Sequence, residues 1–264
     1  MWRFLLIAIL VGEFGLSSLT PAHAQSLTVK NFINPDAPLV REALVLIEGD
    51  NFTDGFYFDA SVTQTTLGGV QVLADNVPQR LRSAATNRLV FLLDAAGQPA
   101  RTLEVRPKTG APLTTQITLV NAWPGVVLQS TDETDNNAYI PSGNYSNDLS
   151  LPSLPPLTGD PLPVATNRDT VVVLNGSGWR FATNVSVRLN GTPCRVQSFG
   201  PGPFTGQDVL TFLIPPLLAD IGPVDLVISV AGRESNYARL VLGHQPSGTP
   251  NVFPRKGTRK TTQK

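Results

Sequence analysis

Breaker residues set the first limit on this chain. Twenty-two glycines and twenty-three prolines are scattered through its 264 residues, a density that excludes long helices as the main element and points to short strands joined by turns. Between these breakers the apolar residues alternate with polar ones: Val70 and Val72, Leu103 and Val105, Ile117 and Leu119, Val185, Val187 and Leu189, Leu240 and Leu242. Period two is the mark of strands with one buried and one wet face. Two runs, 44 to 47 and 171 to 174, are apolar throughout. Their shortness, β-branched content and following glycines predict strands covered on both faces.

Only 15% of the residues are charged and 41% are hydrophobic, which does not suit a wholly disordered chain. The N-terminus reads as a secretory leader over residues 1 to 24. It has Arg3 as the basic end, an apolar run over 4 to 11, and Ala22-His23-Ala24 before a cut at Gln25. The expected address is therefore exported: periplasmic, cell-surface or secreted.

Charge divides the remainder. Residues 25 to 127 carry eight basic and nine acidic side chains, and 167 to 243 carry six and five. Between these near-neutral blocks, 128 to 166 holds five acids, no base and six prolines, and reads as an extended acidic linker. From 244 to 264 there are five bases and no acid, a polar tail without periodicity, expected to be disordered.

The two blocks repeat each other. Gly49-Asp50-Asn51-Phe52 corresponds to Gly176-Ser177-Gly178-Trp179, and Leu67-Gly68-Gly69-Val70 to Leu189-Asn190-Gly191-Thr192. Each is followed by an apolar strand, 89 to 93 and 210 to 214. From Gly69 to Phe91 is 22 residues and from Gly191 to Phe212 is 21. The reading is a duplicated unit of about seven short strands, an all-β chain of two immunoglobulin-like sandwiches in tandem, with Gly49, Phe52, Gly69, Gly176, Trp179 and Gly191 as structural positions.

An apolar strand, Gly-x-x-[Phe/Trp], a glycine hairpin, a strand ending in Pro215-Pro216 and a closing strand resemble the IPT/TIG immunoglobulin-like domain. Residues 26 to 243 further resemble a tandem β-repeat at the C-termini of secreted soil-bacterial proteins, through Trp123-Pro124-Gly125-Val126, Gly176-Ser177-Gly178, Gly206-Gln207-Asp208 and Ser235-Asn236. The Gly206 segment keeps only part of that repeat's pattern. The resemblance implies an extracytoplasmic, non-catalytic module. DNA binding, known for some IPT/TIG domains, does not fit an exported and near-neutral pair.

Chemistry is sparse. A catalytic triad needs an imidazole beside its nucleophile, and the only His beyond the leader is His244. Cys194 is the only cysteine, so a His/Cys zinc site and an internal disulfide are excluded by count. Lys30 and Lys108 lie in no Ser-Lys motif. Carboxylates at Glu48, Glu104 and Glu234 leave a glycosidase open, but one needing a cleft that a small sandwich lacks. Calcium could use Asp132, Glu133 and Asp135, or the loop from Asp50 to Gly55, although Phe52 spoils the latter. No cofactor is called for. Asn51, Asn144, Asn175, Asn184 and Asn190 begin glycosylation sequons that matter only in a glycosylating host. For ligand contact, Tyr57 and Trp123 are the candidates, with Phe56 and Phe58 expected in the core. The expected partner is an envelope protein or a polysaccharide, and the expected role is binding, adhesion or spacing. A carbohydrate-binding accessory module is the alternative.

Overall fold

The computed structural model describes residues 27–94, 99–132, 135, 138–147 and 154–245, with residues 244 and 245 described by backbone only. The leader, the segment from 246 to 264, and Glu133 therefore lie outside the described residues.

Strands are the main regular element among the described residues. The first unit runs through β1 (Thr28–Asn31), β2 (Leu39–Val40), β3 (Leu44–Glu48), β4 (Phe58–Gln64), β5 (Thr66–Leu67) and β6 (Val70–Ala74). It closes with β7 (Val77–Pro78), β8 (Arg80–Ala84), β9 (Arg88–Leu92), β10 (Ala100–Arg106) and β11 (Leu113–Val120). The second runs through β12 (Gly125–Val126), β13 (Gly143–Ser146), β14 (Leu162–Ala165), β15 (Thr170–Ser177) and β16 (Val185–Leu189). It continues with β17 (Thr192–Pro201), β18 (Asp208–Ile214), β19 (Gly222–Val230), β20 (Arg233–Glu234) and β21 (Ala238–Gln245). Pro216–Leu218 forms a single 3-10 turn.

In the first unit one sheet has the order β1-β3-β9-β8-β4, and the facing sheet β2-β11-β10-β6-β5. Strand β2 lies parallel to β11; the other pairs are antiparallel. In the second unit β15 pairs β18, β18 pairs β17, β17 pairs β16, β16 pairs β19, β19 pairs β21, and β14 lies parallel to β21. Strand β17 pairs β16 through residues 192 to 194 and β18 through 195 to 201. It crosses from one layer to the other and joins both into one continuous sheet. Both units thus have the immunoglobulin arrangement: a four-strand order of the A-B-E-D kind facing one of the C-F-G kind, with the parallel strand at the edge.

Alternation decides the core. In β3, Val45 and Ile47 point between the sheets with Phe52, Leu89, Phe91 and Leu103, while Leu44 and Leu46 lie on the outer face with Val62, Val90 and Leu92. That outer face is also buried, because the loop between β17 and β18 of the second unit rests on it. A Cβ on Gly206 would stand 2.9 Å from Leu92 Cδ1 and 3.1 Å from Leu44 Cγ. The apolar run from 44 to 47 is thus a strand with both faces covered.

Two sequence expectations need correction. The segment from 128 to 166 is not a linker. It supplies β13, which pairs β15, and β14, which pairs β21, and it places Ile140, Tyr145, Leu157, Leu162 and Val164 in the second core. Pro163 sits in edge strand β14, and Pro141 and Pro156 at isolated bridges, places where a missing N–H removes no bond from a central ladder. The actual connection is the four residues 121 to 124, between β11 and β12.

The second correction concerns the repeat. Gly69 turns β5 into β6, whereas Gly191 turns β16 into β17. Strand β16 pairs β19, and the first-unit strand with that relation is β6, which pairs β10. The turn equivalent to Asn190-Gly191 is Asp75-Asn76. All four residues have φ between +46° and +81°, the double left-handed geometry of a type I′ hairpin. The 22-against-21 spacing aligned different turns.

Candidate functional site

The four segments that carried the resemblance meet at one end of the second domain, against the first. Trp123 donates its N–H to Gly178 O at 3.1 Å. Gly178 has φ +82°, and a Cβ there would stand 2.0 Å from Trp123 O, so both backbone conformation and contact require glycine. Asn236 grips β12 from both sides, accepting from Val126 N at 2.7 Å and donating to Val126 O at 3.0 Å. Asp208, 1% exposed, accepts from the N–H groups of Trp179 at 2.9 Å and Arg180 at 3.0 Å. The Asp of the partly kept motif thus caps the Gly-x-Gly-Trp segment.

Arg180 then reaches across. Its Nε is paired with Asp208, its Nη2 donates to Gln207 O at 2.6 Å, and its Nη1 donates to Glu42 Oε2 of the first domain at 2.9 Å. One further contact crosses the same boundary and another ties the first domain to the connection. The Arg41 guanidinium lies 4.9 Å from the centroid of the Phe181 ring, and Asn34 Nδ2 donates to Pro124 O at 3.3 Å. Asp208 and Gln207 O hold the largely buried Arg180 guanidinium in place, so that its Nη1 is aimed at the part-exposed Glu42 carboxylate across the boundary.

Phe52 and Trp179 are both fully buried. Each closes over the glycine three residues before it: a Cβ on Gly49 would meet Phe52 Cζ at 2.7 Å, and one on Gly176 would meet Trp179 Cη2 at 1.9 Å. Trp179 Nε1 has no acceptor among the described residues. Gly69 packs against the Lys108 side chain, and Gly191 faces open space.

Of the ligand candidates, Tyr57 is 68% exposed and Trp123 half-buried. The Arg233 guanidinium covers Trp123 at 4.6 Å from the ring centroid, which makes Trp123 a junction residue rather than an open platform. Phe56, expected in the core, is 70% exposed. It belongs to the loop before β4, where strand alternation does not apply, and its carbonyl accepts from Thr53 Oγ1 at 3.0 Å. The structure does not bring Tyr57 and Trp123 together at one site.

For calcium, Asp132 and Asp135 are exposed and share a tight turn, Asp135 N donating to Asp132 O at 2.9 Å, while Glu133 lies outside the described residues. Among the described residues no group of three His, Cys, Asp or Glu side chains is placed to hold a metal ion. Asp54 is paired with Lys108, and Lys30 with Glu48 at 2.6 Å. Glu48, Glu104 and Glu234 stand on three different sheets. Burial, with Asp169 adding to it, pushes the Cys194 thiol up to about 11, which keeps it protonated and unreactive at neutral pH. The Tyr237 hydroxyl is raised by burial and by its hydrogen bond to Asp225.

Sequence reasoning missed Arg180, Glu42 and the crevice beside them. This crevice, about 910 Å³, lies between the end of β11 and the outer face of β16 and β19. Phe181, Ser186, Arg188, Ser229, Arg233 and Glu234 line its second-domain wall. Alternation could have flagged Ser186 and Arg188 as outward-facing, but nothing in the sequence places them opposite Asn121.

No known protein family and no curated protein matches the chain. Among solved structures it is similar to domains 5 and 6 of the S-layer protein SbsC (8% identity, 83% of this chain and 97% of that one, TM-score 0.27). It is also similar to the Bacteroides ovatus mixed-linkage glucan utilization locus protein SGBP-B, solved with a mixed-linkage heptasaccharide (10%, 84% and 62%, TM-score 0.28). A third likeness is to the full extracellular region of plexin A4 (11%, 85%, TM-score 0.27), of which the chain spans only 16%. The immunoglobulin-like character of the two domains is in their strand pairing. No helix among the described residues is long and apolar enough to cross a membrane.

Proposed function

We propose that this chain is an exported, non-catalytic binding or spacer module of the bacterial cell envelope, built from two IPT/TIG-like domains held in one fixed orientation. The observation that carries this reading is the bridge from Glu42 through Arg180 to Asp208, which joins two cores separated by only a four-residue connection. A module of this kind presents a constant surface or holds its neighbours a constant distance apart, uses for which a fixed junction has value and a flexible one does not. Residues 1 to 24 supply the address. Fractionation of cells expressing the full chain tests it: mature protein beginning at Gln25 in the envelope or medium supports the reading, and unprocessed protein in the cytoplasm overturns it. Turnover of any envelope glycan by the purified chain would overturn the non-catalytic part.

A carbohydrate-binding accessory role is the second reading, favoured by the adjacent and exposed rings of Phe56 and Tyr57. Exposed aromatic faces stack on apolar faces of ligands. Glycan-array signal lost in Phe56→Ala and Tyr57→Ala variants would select this reading; signal unchanged in both would dismiss it.

A further inference from the structure

The crevice between the domains has a chemistry of its own. Arg188 projects from the outer face of β16, beside Ser186 and Ser229, which face each other across β16 and β19. Arg233 stands at the tip of the β19 to β20 hairpin, whose turn residues Ala231 and Gly232 have φ +50° and +77°. The Arg233 guanidinium carbon lies 4.6 Å from the Trp123 ring centroid, a cation–π contact that leaves N–H donors available for a ligand. Neither arginine side chain makes a hydrogen bond or ion pair with any described residue, in contrast to Arg80, Arg82, Arg106 and Arg180. Among the described residues Glu234 is the one carboxylate that lines the crevice. Phe181, 39% exposed and backed by Arg41, adds an aromatic surface. From the connection between the domains Asn121 contributes a side-chain amide.

We propose that this crevice binds an anionic polysaccharide strand, with Arg188 and Arg233 on its carboxylate or phosphate groups, Ser186, Ser229 and Asn121 on its hydroxyls, and Phe181 against a sugar ring. Guanidinium forks match both anions in bidentate geometry. Hydroxyl and amide groups read sugar hydroxyls, and a volume of about 910 Å³ accommodates more than one ring. The crevice exists only while the domains keep their orientation, which gives the Arg180 bridge a binding role as well as a mechanical one. This inference rests on the envelope reading for its ligand class but is tested separately from it.

The test is retention of the purified full chain on immobilised polygalacturonate, dextran phosphate and neutral dextran, at low and physiological salt. One or both polyanions should retain it, weakening as salt rises, and dextran should not. Preference between the two polyanions identifies the anion. Arg188→Gln, an exposed strand position that leaves the Trp123 contact intact, should weaken binding about tenfold, the effect of one charge-assisted hydrogen bond. R188Q/R233Q should weaken it further while keeping a cooperative melt, lowered only by loss of the Trp123 contact. Equal retention of the double variant would place binding elsewhere, for instance on the basic residues after 254, and overturn the site. Retention on dextran alone, or on none of the three, would also overturn it. Arginine-dependent binding by a chain that is not exported would leave the site standing and remove the envelope reading.

Discussion

Asp75 and Asn190 hold the same place in the two domains. Asp75 donates its N–H to Thr102 O at 2.9 Å and accepts from Thr102 N through Oδ1 at 2.9 Å; Asn190 does the same with Asp225, at 3.0 and 2.9 Å. Both residues are left-handed, with φ of +49° and +46°. Asp and Asn are the non-glycine residues that tolerate that conformation while offering a short acceptor. Asn190→Ala removes the acceptor and leaves a Cβ-bearing residue in strained geometry, an expected loss of about 2 kcal/mol. Asn190→Asp keeps both features and should change stability by less than about 0.5 kcal/mol. Urea unfolding followed by tryptophan fluorescence measures this in the second domain, since Trp123 and Trp179 are the only tryptophans beyond the leader.

The aromatic under each B-type strand is a second shared element. Trp179→Ala should cost about 3 to 5 kcal/mol and unfold most of the second domain, as Phe52→Ala should the first. Trp179→Phe mimics the first domain and removes an indole N–H that has no acceptor among the described residues. Its expected cost is below half that of the alanine variant. Equal losses for the two variants, read from denaturant midpoints, would mean that the indole ring edge rather than its volume holds the core.

The duplicated aromatics, the all-β class and the strand covered on both faces over 44 to 47 were legible, because glycine spacing and apolar runs are local. The turn equivalence was not, because Asp75-Asn76 makes the first domain's left-handed turn without glycine, and Gly69 offered a nearer glycine at the wrong hairpin. Nor was the role of 128 to 166 legible. Its apolar residues, Ile140, Tyr145, Leu157, Leu162 and Val164, follow no single period because they enter the core from edge strands and isolated bridges. Arg180 and Glu42 are 138 residues apart, and nothing local announces such a pair.

The incorporation of 128 to 166 into the second core has a direct consequence for fragments. Residues 167 to 243 alone lack β12, β13 and β14 and should give no cooperative melt. Residues 121 to 245 should melt cooperatively with a β-type circular dichroism spectrum. A cooperative transition in the shorter fragment would show that the edge strands are dispensable.

Cys194 gives a test of packing through pH. Its thiol is raised to about 11 in the folded chain, above its ordinary value of 9.0. The folded state therefore holds the proton more tightly than the unfolded state. The resulting stabilisation is fully present below about pH 9 and is lost as pH rises towards 11. At pH 8 a thiol reagent should leave the native protein unlabelled over minutes and label it fully in guanidinium. Rapid labelling of native protein would put the thiol at the surface.

The fixed junction is central to both the spacer role and the crevice, and it can be measured in solution. Backbone amide residual dipolar couplings of the full chain, collected for 27 to 120 and 125 to 245, should fit one alignment tensor of common orientation and magnitude. Glu42→Ala cuts the Arg180 bridge on the first-domain side and should separate the two tensors while leaving each domain's internal couplings unchanged. Two tensors of different magnitude in the unmodified chain would mean that the domains move independently, and would contradict the account.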